Sequence, residues 1–245
     1  MSKFQRAFTL MEMLVVISII TLLISITLPA LSSAKVRARE TVCGSNMRQA
    51  TIAFSSYTGD NSQYYPDFSY NPASKSQDSS PPYWTLGYWR KHMLSYGLLR
   101  EMLYSPSNTL WNRDDFYWYG TGSEAGNPEM VMGYTYFGST LVNGSSFRSS
   151  LKFPPPAGVT NVFPRRYGTR SHSELIWADL NRRQTYHLDT WLSPDDSRRW
   201  GSNHWYGNPD QSVSGSHRAF TDNHVEWITN AELKLQSTYS VHMYW

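Results

Sequence analysis

The sequence contains one cysteine, Cys43, among 245 residues, so no disulfide can form within the chain. A secreted domain of this kind must be held together by its own core or by neighbours in an assembly. The formal net charge is only +3, and the lysines and arginines are interspersed with acidic residues. Proteins that bind nucleic acid normally present a clustered basic face, and the sequence gives no sign of one.

Motifs of enzyme chemistry are also lacking. There is no Gly-x-Ser-x-Gly elbow around a nucleophile, and no glycine-rich loop followed by the lysine that binds phosphates. The sequence therefore predicts no catalytic residue and no cofactor, and the chain is interpreted as a protein that is not an enzyme.

Metal-binding side chains are present without a recognisable spacing. The C-terminal candidates are His204, His217, Asp222, His224 and Glu226. A hairpin could bring His217 close to His224, but the spacing matches no zinc signature. Oxygen ligands for calcium are available at Asp195, Asp196 and Asp210, with no Asp-x-Asp-Gly-type loop. The sequence favours turn and surface roles for all of these residues, and whether an ion is bound stays open.

Aromatic residues are abundant. The chain has 10 Trp and 17 Tyr, and 40% of its residues are apolar, a normal value for a globular domain. Large rings bury much area while keeping a polar edge, so they suit a core packed by aromatic side chains. They would equally suit a face that binds polysaccharide, and composition does not separate the two.

The N-terminal segment is long and apolar. Residues 8–31 read FTLMEMLVVISIITLLISITLPAL, with Glu12 as the only charge. A helix that crosses a bilayer needs about 20 apolar residues, and a cleaved secretory signal has a shorter apolar run. The segment therefore predicts a retained membrane anchor. Glu12 either stays hydrated near the membrane interface or pairs with a cation, and Pro29 either loosens the helix or marks the membrane exit.

The first 31 residues resemble the N-terminal cleavage and methylation motif of type IV prepilins and type II secretion pseudopilins. That motif is a short basic leader, a Phe-Thr-Leu-x-Glu start and a hydrophobic helix with a late proline. The matching positions are Lys3, Arg6, Phe8, Thr9, Leu10, Glu12 and Pro29. One departure is Ala7, which stands where the family usually has glycine before the cut.

The resemblance implies how the chain is processed and where it resides. A prepilin peptidase would cut between Ala7 and Phe8, and Phe8 would then be N-methylated. Glu12 would pair with the mature amino terminus of an adjacent subunit during assembly, and Pro29 is the second residue expected to act in assembly. The implied partners are copies of the chain, other pilin-like subunits and an inner-membrane assembly platform. The resemblance places the N-terminus in the cytoplasm and the head in the periplasm of a bacterium, as a single-pass inner-membrane protein before it joins a filament.

An amphipathic segment follows the anchor. One apolar stripe with helical spacing contains Val36, Cys43, Met47, Ala50, Phe54 and Tyr57. The sequence predicts one helix from Phe8 to Tyr57, about 50 residues and about 75 Å long. Cys43 lies on the stripe and is interpreted as a small buried apolar residue. The predicted organisation is a leader at 1–7, a transmembrane and stalk helix at 8–57, and a globular head at 58–245.

The head is predicted to contain one helix and a few antiparallel strands. The predicted elements are a helix at Lys91–Leu103, a strand within 132–144 ending in an Asn143-Gly144 turn, a buried strand within 173–180, and a hairpin at 217–228. Asp222 and Asn223 are expected to form a two-residue turn in that hairpin. The predicted fold class is α+β, with the lollipop form of pilins: a long N-terminal helix packed on a small antiparallel-sheet head.

Parts of the stalk and head resemble a subgroup of pilin-like proteins from planctomycete and lentisphaera-type bacteria. The matching stalk residues are Cys43, Asn46, Arg48, Gln49, Tyr57, Asp60, Asn61, Tyr64, Tyr65 and Pro66. In the hairpin they are Asp222, His224, Val225 and Trp227. Relatives often have Cys-Pro where this chain has Ser105-Pro106.

These observations predict a structural subunit, a pilin or pseudopilin, of a type IV pilus-like or type II secretion filament. The alternative is a membrane- or filament-tethered protein that binds polysaccharide through its Trp/Tyr-rich head. A third alternative is a tethered hydrolase. The sequence does not distinguish a pilus from a secretion pseudopilus or a DNA-uptake apparatus.

Overall fold

A computed structural model describes the chain in separate stretches. The described residues are 9–68, 70–71, 76–77, 84–85, 87–108, 111–117, 129–138, 166–168, 174–183, 202–204, 213–233, 235–237 and 242–244. They divide into two compact units, Met1–Arg39 and Glu40–Trp245.

The first helix, α1, spans Leu10–Asp60 and is 51 residues long. The helix ends three residues beyond Tyr57, the predicted last residue. Thr58 still lies on the buried face, and Gly59 and Asp60 complete the last turn. Ser62 and Gln63 then have positive φ angles of 52° and 68°, and the Gln63 amide donates to the Thr58 carbonyl at 2.8 Å. Left-handed residues of this kind commonly end helices.

The described part of the first unit, residues 9–39, contains the apolar part of α1 and the more polar residues 32–39 that follow it. Its large apolar side chains between Leu10 and Leu31 are exposed, and the helix is long and apolar enough to cross a membrane. Pro29 lies inside the helix and does not end it. The hydroxyl groups of Thr21, Ser25 and Thr27 donate to carbonyls of the preceding turn, for example Ser25 Oγ to the Leu22 carbonyl at 2.7 Å. Such bonds satisfy polar side chains within an apolar segment.

In the second unit, the C-terminal part of α1 buries one face. The predicted stripe is confirmed from Cys43 onward: the buried residues are Cys43, Met47, Ala50, Thr51, Ala53, Phe54, Tyr57 and Thr58. Phe54 lies at the centre of this face. Its ring centroid is 5.0 Å from that of Tyr136 and 5.2 Å from that of Trp177. Aromatic pairs at these distances add to the stability gained from burial.

The α+β class is confirmed. A four-stranded antiparallel sheet has the order β5-β6-β8-β9, with β5 at Tyr134–Tyr136, β6 at Leu175–Asp179, β8 at Gly215–Phe220 and β9 at Val225–Thr229. The smaller pairings are β1 (Tyr70–Asn71) with β2 (Ser76–Gln77), β3 (Trp84–Thr85) with β4 (Met130–Val131), and β10 (Leu235–Ser237) with β11 (His242–Tyr244) and β7 (Asn181–Arg183).

The predicted helix at Lys91–Leu103 was wrong as one element. The structure has α2 at Tyr88–Leu94 and a separate 3₁₀ helix at Arg100–Leu103. Between them Gly97 has a φ of +84°, which breaks the helical path and is readily adopted only by glycine. Two further short helices lie at Asp114–Tyr117 (α3) and Asn230–Glu232 (3₁₀).

The buried strand within 173–180 is confirmed as β6, in which every residue is buried. The strand predicted within 132–144 is confirmed as β5, while its expected Asn143-Gly144 turn lies outside the described residues. The hairpin is confirmed as β8 and β9, but its turn differs. Phe220 pairs with His224, so three residues close the loop, and Asn223 has the left-handed φ of 66°. A three-residue loop that ends in a left-handed residue suits the strand twist.

Gly215, at the start of β8, lets the neighbouring strand approach closely. A Cβ placed there would overlap the Ile228 carbonyl oxygen and lie 2.5 Å from Cζ2 of Trp227. We expect Gly215→Ala to lower the free energy of unfolding by about 1–3 kcal/mol, the usual cost of overpacking. Thermal unfolding of the full chain in detergent, followed by tryptophan fluorescence, measures this loss.

Gly59→Ala is the matched control, because a Cβ on this helical glycine meets nothing within 4 Å. Alanine favours a helix over glycine, so this variant should unfold at the same temperature as the wild type or higher. Equal stability of the two variants would contradict the close approach at Gly215.

Candidate functional site

The structure starts α1 with a reciprocal cap around the predicted assembly residue, Glu12. The Thr9 amide donates to Glu12 Oε2 at 2.8 Å, and the Thr9 hydroxyl donates to the same oxygen at 2.9 Å. The Glu12 amide donates in turn to Thr9 Oγ1 at 3.2 Å. This is a capping box, which satisfies amides that the first turn leaves unpaired. Glu12 therefore stabilises the helix start within its own chain.

The other predicted processing and assembly residues are placed as follows. Ala7 and Phe8, the two sides of the expected cleavage site, lie outside the described residues. Pro29 lies within α1, where its carbonyl accepts a hydrogen bond from Ser33 Oγ at 3.1 Å. Its expected role in assembly stays a prediction.

A second group of chemically active side chains lies in the unit Glu40–Trp245. Cys43 from α1, Asp179 from the end of β6, His204 from a loop, and His217 from β8 converge in the interior. One potential ligand atom from each residue lies within 4.8 Å of those of the other three. Cys43, Asp179 and His204 are fully buried, and His217 is 6% exposed. The surface role predicted for His204 and His217 is therefore wrong, because both imidazoles pack against a buried carboxylate. We call these four residues the buried cluster.

Asp179 holds the centre of the buried cluster. Its Oδ2 lies 3.0 Å from His204 Nε2 and 3.1 Å from His217 Nδ1, and it accepts the His217 backbone amide at 2.7 Å. Its Oδ1 accepts the Asn203 side-chain amide at 2.9 Å and lies 3.6 Å from the Cys43 sulfur. A buried carboxylate needs partners on both oxygens, and Asp179 has them.

The surroundings of Cys43 differ from the apolar environment that the sequence predicted. Its burial on the helix stripe is confirmed. Its sulfur, however, lies 3.2 Å from the Tyr134 hydroxyl as well as close to Asp179. The stripe faces apolar side chains along most of its length and a polar group at Cys43.

Local backbone geometry positions the two histidines. His204 has a φ of +52°, a left-handed conformation that is uncommon for residues other than glycine and is often found at functional sites. The segment is held by the Asn203 amide on the Leu180 carbonyl at 3.0 Å and by Asn203 Nδ2 on the Gly133 carbonyl at 2.7 Å. The Trp227 ring lies edge-on to both imidazoles, with centroids 5.1 Å from His204 and 4.6 Å from His217.

Because Gly44 has no side chain, the His217 imidazole can lie close to α1. A Cβ at Gly44 would lie 3.1 Å from both Cδ2 and Nε2 of His217, tighter than ordinary contact. The glycine that follows Cys43 thus brings the imidazole close to the helix.

Charge interactions within the buried cluster outweigh the cost of burial. Burial raises the pKa of Asp179, but the His204 and His217 imidazoles lower it by more, so it lies well below its usual range. Burial lowers the pKa of both histidines, and their interactions with Asp179 and Cys43 raise it to about 9 for His217 and well above the usual value for His204. Burial and Asp179 raise the pKa of Cys43, whereas the imidazoles lower it to a net value below normal. Each shift favours the charged form.

The remaining sequence candidates are not part of the buried cluster. Asp222 and His224 bond to each other on the exposed turn, and Glu226 forms an ion pair with Arg218 at 2.7 Å. The strand register pairs His217 with Trp227, so the hairpin does not place it beside His224. Asp195, Asp196 and Asp210 lie outside the described residues.

Sequence reasoning missed Asp179, Asn203 and Tyr134 as members or neighbours of this group. One signal was available: Asp179 follows the apolar run Leu175–Ala178, and an acidic residue at the end of a fully buried strand is rarely left unpaired. The identity of its partners was not readable, because they come from distant parts of the chain.

The chemistry open to the buried cluster is limited by its burial. A thiol, an imidazole and a carboxylate are the parts of a nucleophile, a base and an orienting acid. Attack on a substrate needs an accessible sulfur, and Cys43 is 0% exposed. The arrangement is therefore suited to holding a small ion or to a closed hydrogen-bond network.

Comparison with known protein families identifies the N-terminal segment. Residues 2–28 match the model of the prokaryotic N-terminal methylation motif. No curated protein and no solved structure matches the chain. The match covers the predicted leader and most of the apolar segment, and it ends before the unit that contains the buried cluster.

We expect Asp179→Asn to lower the free energy of unfolding by about 3–5 kcal/mol, since it removes the charge that the buried imidazoles face. Chemical denaturation of the full chain, followed by tryptophan fluorescence, checks this. All 10 tryptophans lie beyond residue 39, so the signal reports on the second unit.

Asp222→Asn is the matched control, because Asp222 also pairs with a histidine but on an exposed turn. Exposed ion pairs contribute less than about 1 kcal/mol, so this variant should unfold almost as the wild type does. Similar losses in both variants would mean that the burial of Asp179 has no special energetic consequence.

Proposed function

We propose that the chain is a structural subunit, a pilin or pseudopilin, of a type IV pilus-like or type II secretion filament. The observation that carries this proposal is the N-terminal methylation motif at residues 2–28, which continues into an exposed apolar helix. The motif indicates a type IV pilin-like precursor. Together with the apolar helix it fits anchoring in the inner membrane and a structural rather than enzymatic role.

The proposed maturation follows from the motif. Prepilin peptidase removes residues 1–7 by cutting between Ala7 and Phe8, and the new amino terminus at Phe8 is methylated. The subunit then remains in the inner membrane with its N-terminus cytoplasmic and its head periplasmic. An assembly platform afterwards transfers it into a filament with other copies or other pilin-like subunits, in the periplasm or at the cell surface.

The exposed apolar surface of α1 supports a subunit that passes from the membrane into a filament. Leu, Ile and Val side chains line the stretch between Leu10 and Leu31, and they are about half exposed or more. Burying one such side chain stabilises a protein by about 1.5–3 kcal/mol, so this surface requires an apolar environment. Lipid supplies that environment before assembly, and the helices of neighbouring subunits supply it in a filament.

One carboxylate oxygen of Glu12 is available to a neighbouring subunit. Both Thr9 donors bond to Oε2, so among the described residues the cap leaves Oε1 available. A carboxylate within an apolar segment is costly unless a cation pairs with it. The amino terminus released at Phe8 of an adjacent subunit is a cation of the required kind.

The described aromatic residues favour the core interpretation over a polysaccharide-binding face. Trp89, Trp111 and Trp177 are buried, and Phe68, Trp89 and Tyr136 pack around Phe54 and Tyr57. A sugar-binding platform needs its rings at the surface.

The mature N-terminus tests the processing directly. We expect protein isolated from its native membrane or filament fraction to begin at Phe8, with a mass increment of one methyl group on that residue. Intact-mass and peptide mass spectrometry measure both. A mature protein that keeps Met1 would contradict the proposed processing and with it the filament function.

Glu12→Gln separates the two roles of Glu12. Glutamine also serves in a capping box, so the helix start should persist while the charge is lost. We expect normal removal of residues 1–7 but a large loss of filament assembly, measured by shearing the cells and quantifying the subunit in the filament fraction. Glu12→Ala removes the cap as well as the charge. Normal filaments from Glu12→Gln would show that the charge does not pair with a neighbour.

A further inference from the structure

We propose that Cys43, Asp179, His204 and His217 bind one divalent transition-metal ion of the Zn²⁺ class in a closed, structural site. This inference goes beyond the filament function and does not depend on it. It concerns only the unit Glu40–Trp245.

The ligand set has the chemistry of a zinc site. Thiolate sulfur, imidazole nitrogen and carboxylate oxygen are the groups that bind Zn²⁺ in proteins, and four of them make a closed structural site. Calcium and magnesium prefer oxygen ligands only, so the sulfur and two imidazoles select against them. The donor set therefore favours a transition metal.

The distances fit a small tetrahedral ion. Bonds of about 2.0–2.3 Å to zinc place neighbouring ligand atoms about 3.3–3.7 Å apart in a tetrahedron. Here Asp179 Oδ2 lies 3.0 Å from His204 Nε2 and 3.1 Å from His217 Nδ1, while Asp179 Oδ1 lies 3.6 Å from the Cys43 sulfur. All four ligand atoms lie within 4.8 Å of one another. Side-chain shifts of about 1 Å would bring all four ligand atoms to these tetrahedral separations around one ion.

The charges also fit. A thiolate and a carboxylate contribute two negative charges and the neutral imidazoles contribute none, so one divalent cation makes the buried site neutral. Without an ion, the same neutrality requires two protonated imidazoles beside the two anions in the protein interior. Burying four charged side chains is costly, and a divalent ion lowers this cost because it replaces the two extra imidazole protons and leaves both imidazoles neutral.

Neighbouring residues orient the ligands as in metal sites. The Tyr134 hydroxyl lies 3.2 Å from the Cys43 sulfur, and Asn203 Nδ2 donates to Asp179 Oδ1 at 2.9 Å. Such contacts fix the ligand orientation, and their loss typically weakens metal binding about 10–100-fold. Trp227 packs edge-on against both imidazoles and covers them on that side.

The site would join four distant parts of the chain. Cys43 belongs to α1, Asp179 to β6, and His217 to β8, while the loop with His204 lies between the two strands in sequence. With a single cysteine, the chain has no disulfide to serve this purpose. A metal ion bound only by the folded state stabilises that state by mass action.

Metal content and Co²⁺ spectroscopy of the full chain test the proposal. The protein is purified in detergent without a polyhistidine tag, and its bound metals are measured by inductively coupled plasma mass spectrometry. It is then stripped with a chelator and titrated with Co²⁺ alone. We expect close to one equivalent of metal per chain, visible bands of tetrahedral Co²⁺, and a thiolate-to-Co²⁺ charge-transfer band in the near ultraviolet. Wild-type protein that remains folded but gives neither band overturns the proposal.

Variants separate this site from incidental binding to surface histidines. Cys43→Ser should abolish the charge-transfer band, and His217→Gln should weaken Co²⁺ binding more than about 100-fold, beyond the loss caused by outer contacts. His224→Gln, on the exposed turn, is the matched control and should bind as the wild type does. If His224→Gln loses binding and His217→Gln keeps it, the metal sits on the turn and the proposal is wrong.

A milder variant covers the case in which a ligand substitution prevents folding. Tyr134→Phe keeps the ring and removes only the hydroxyl near the Cys43 sulfur. It should retain the Co²⁺ bands with about 10–100-fold weaker affinity. An unchanged affinity would contradict coordination by that sulfur.

Discussion

The head depends on a buried carboxylate whose partners come from every side. Asp179 ends the fully buried strand β6, and its two oxygens face His204, His217, Asn203 and Cys43. An unpaired charge there would be expensive, so the chain segments that carry these groups must meet at this place. The burial of one charge thus fixes the approach of α1, the position of the 202–204 loop and the register of β8.

Apolar packing supplies the stability around this polar centre. Phe54 of α1 contacts Phe68, Tyr136 and Trp177, and Tyr57 contacts Trp89 and Tyr96. Among the described residues, these rings pack in the core, and they account for part of the aromatic composition. Dispersion and burial favour many arrangements of such rings, whereas the hydrogen bonds to Asp179 favour one. The two kinds of interaction together specify the domain.

The single helix α1 serves two different environments along its length. Its residues between Leu10 and Leu31 expose apolar side chains, which suits lipid or the interior of an assembly. From Cys43 to Thr58 it buries one face within its own unit. The proposed filament function draws on the first property, and the proposed metal site draws on the second. Glu12 can therefore be substituted to test its proposed role in assembly without changing the buried cluster, and the buried cluster can be substituted without changing Glu12.

The sequence by itself determined the features that local pattern controls. An apolar run indicated a helix that is long and apolar enough to cross a membrane. Spacing near 3.6 placed the stripe from Cys43 to Tyr57, and alternating or continuous apolar residues located β6 and the β8–β9 hairpin. The motif with Glu12 at its fixed place indicated the family of precursors. Turn details such as the three-residue loop before His224 and the break at Gly97 were missed, because backbone angles of single residues decide them.

The buried cluster was decided only by the tertiary structure. Its residues lie up to 174 positions apart, as for Cys43 and His217 by their numbers, and no local pattern records which distant side chains a buried charge will meet.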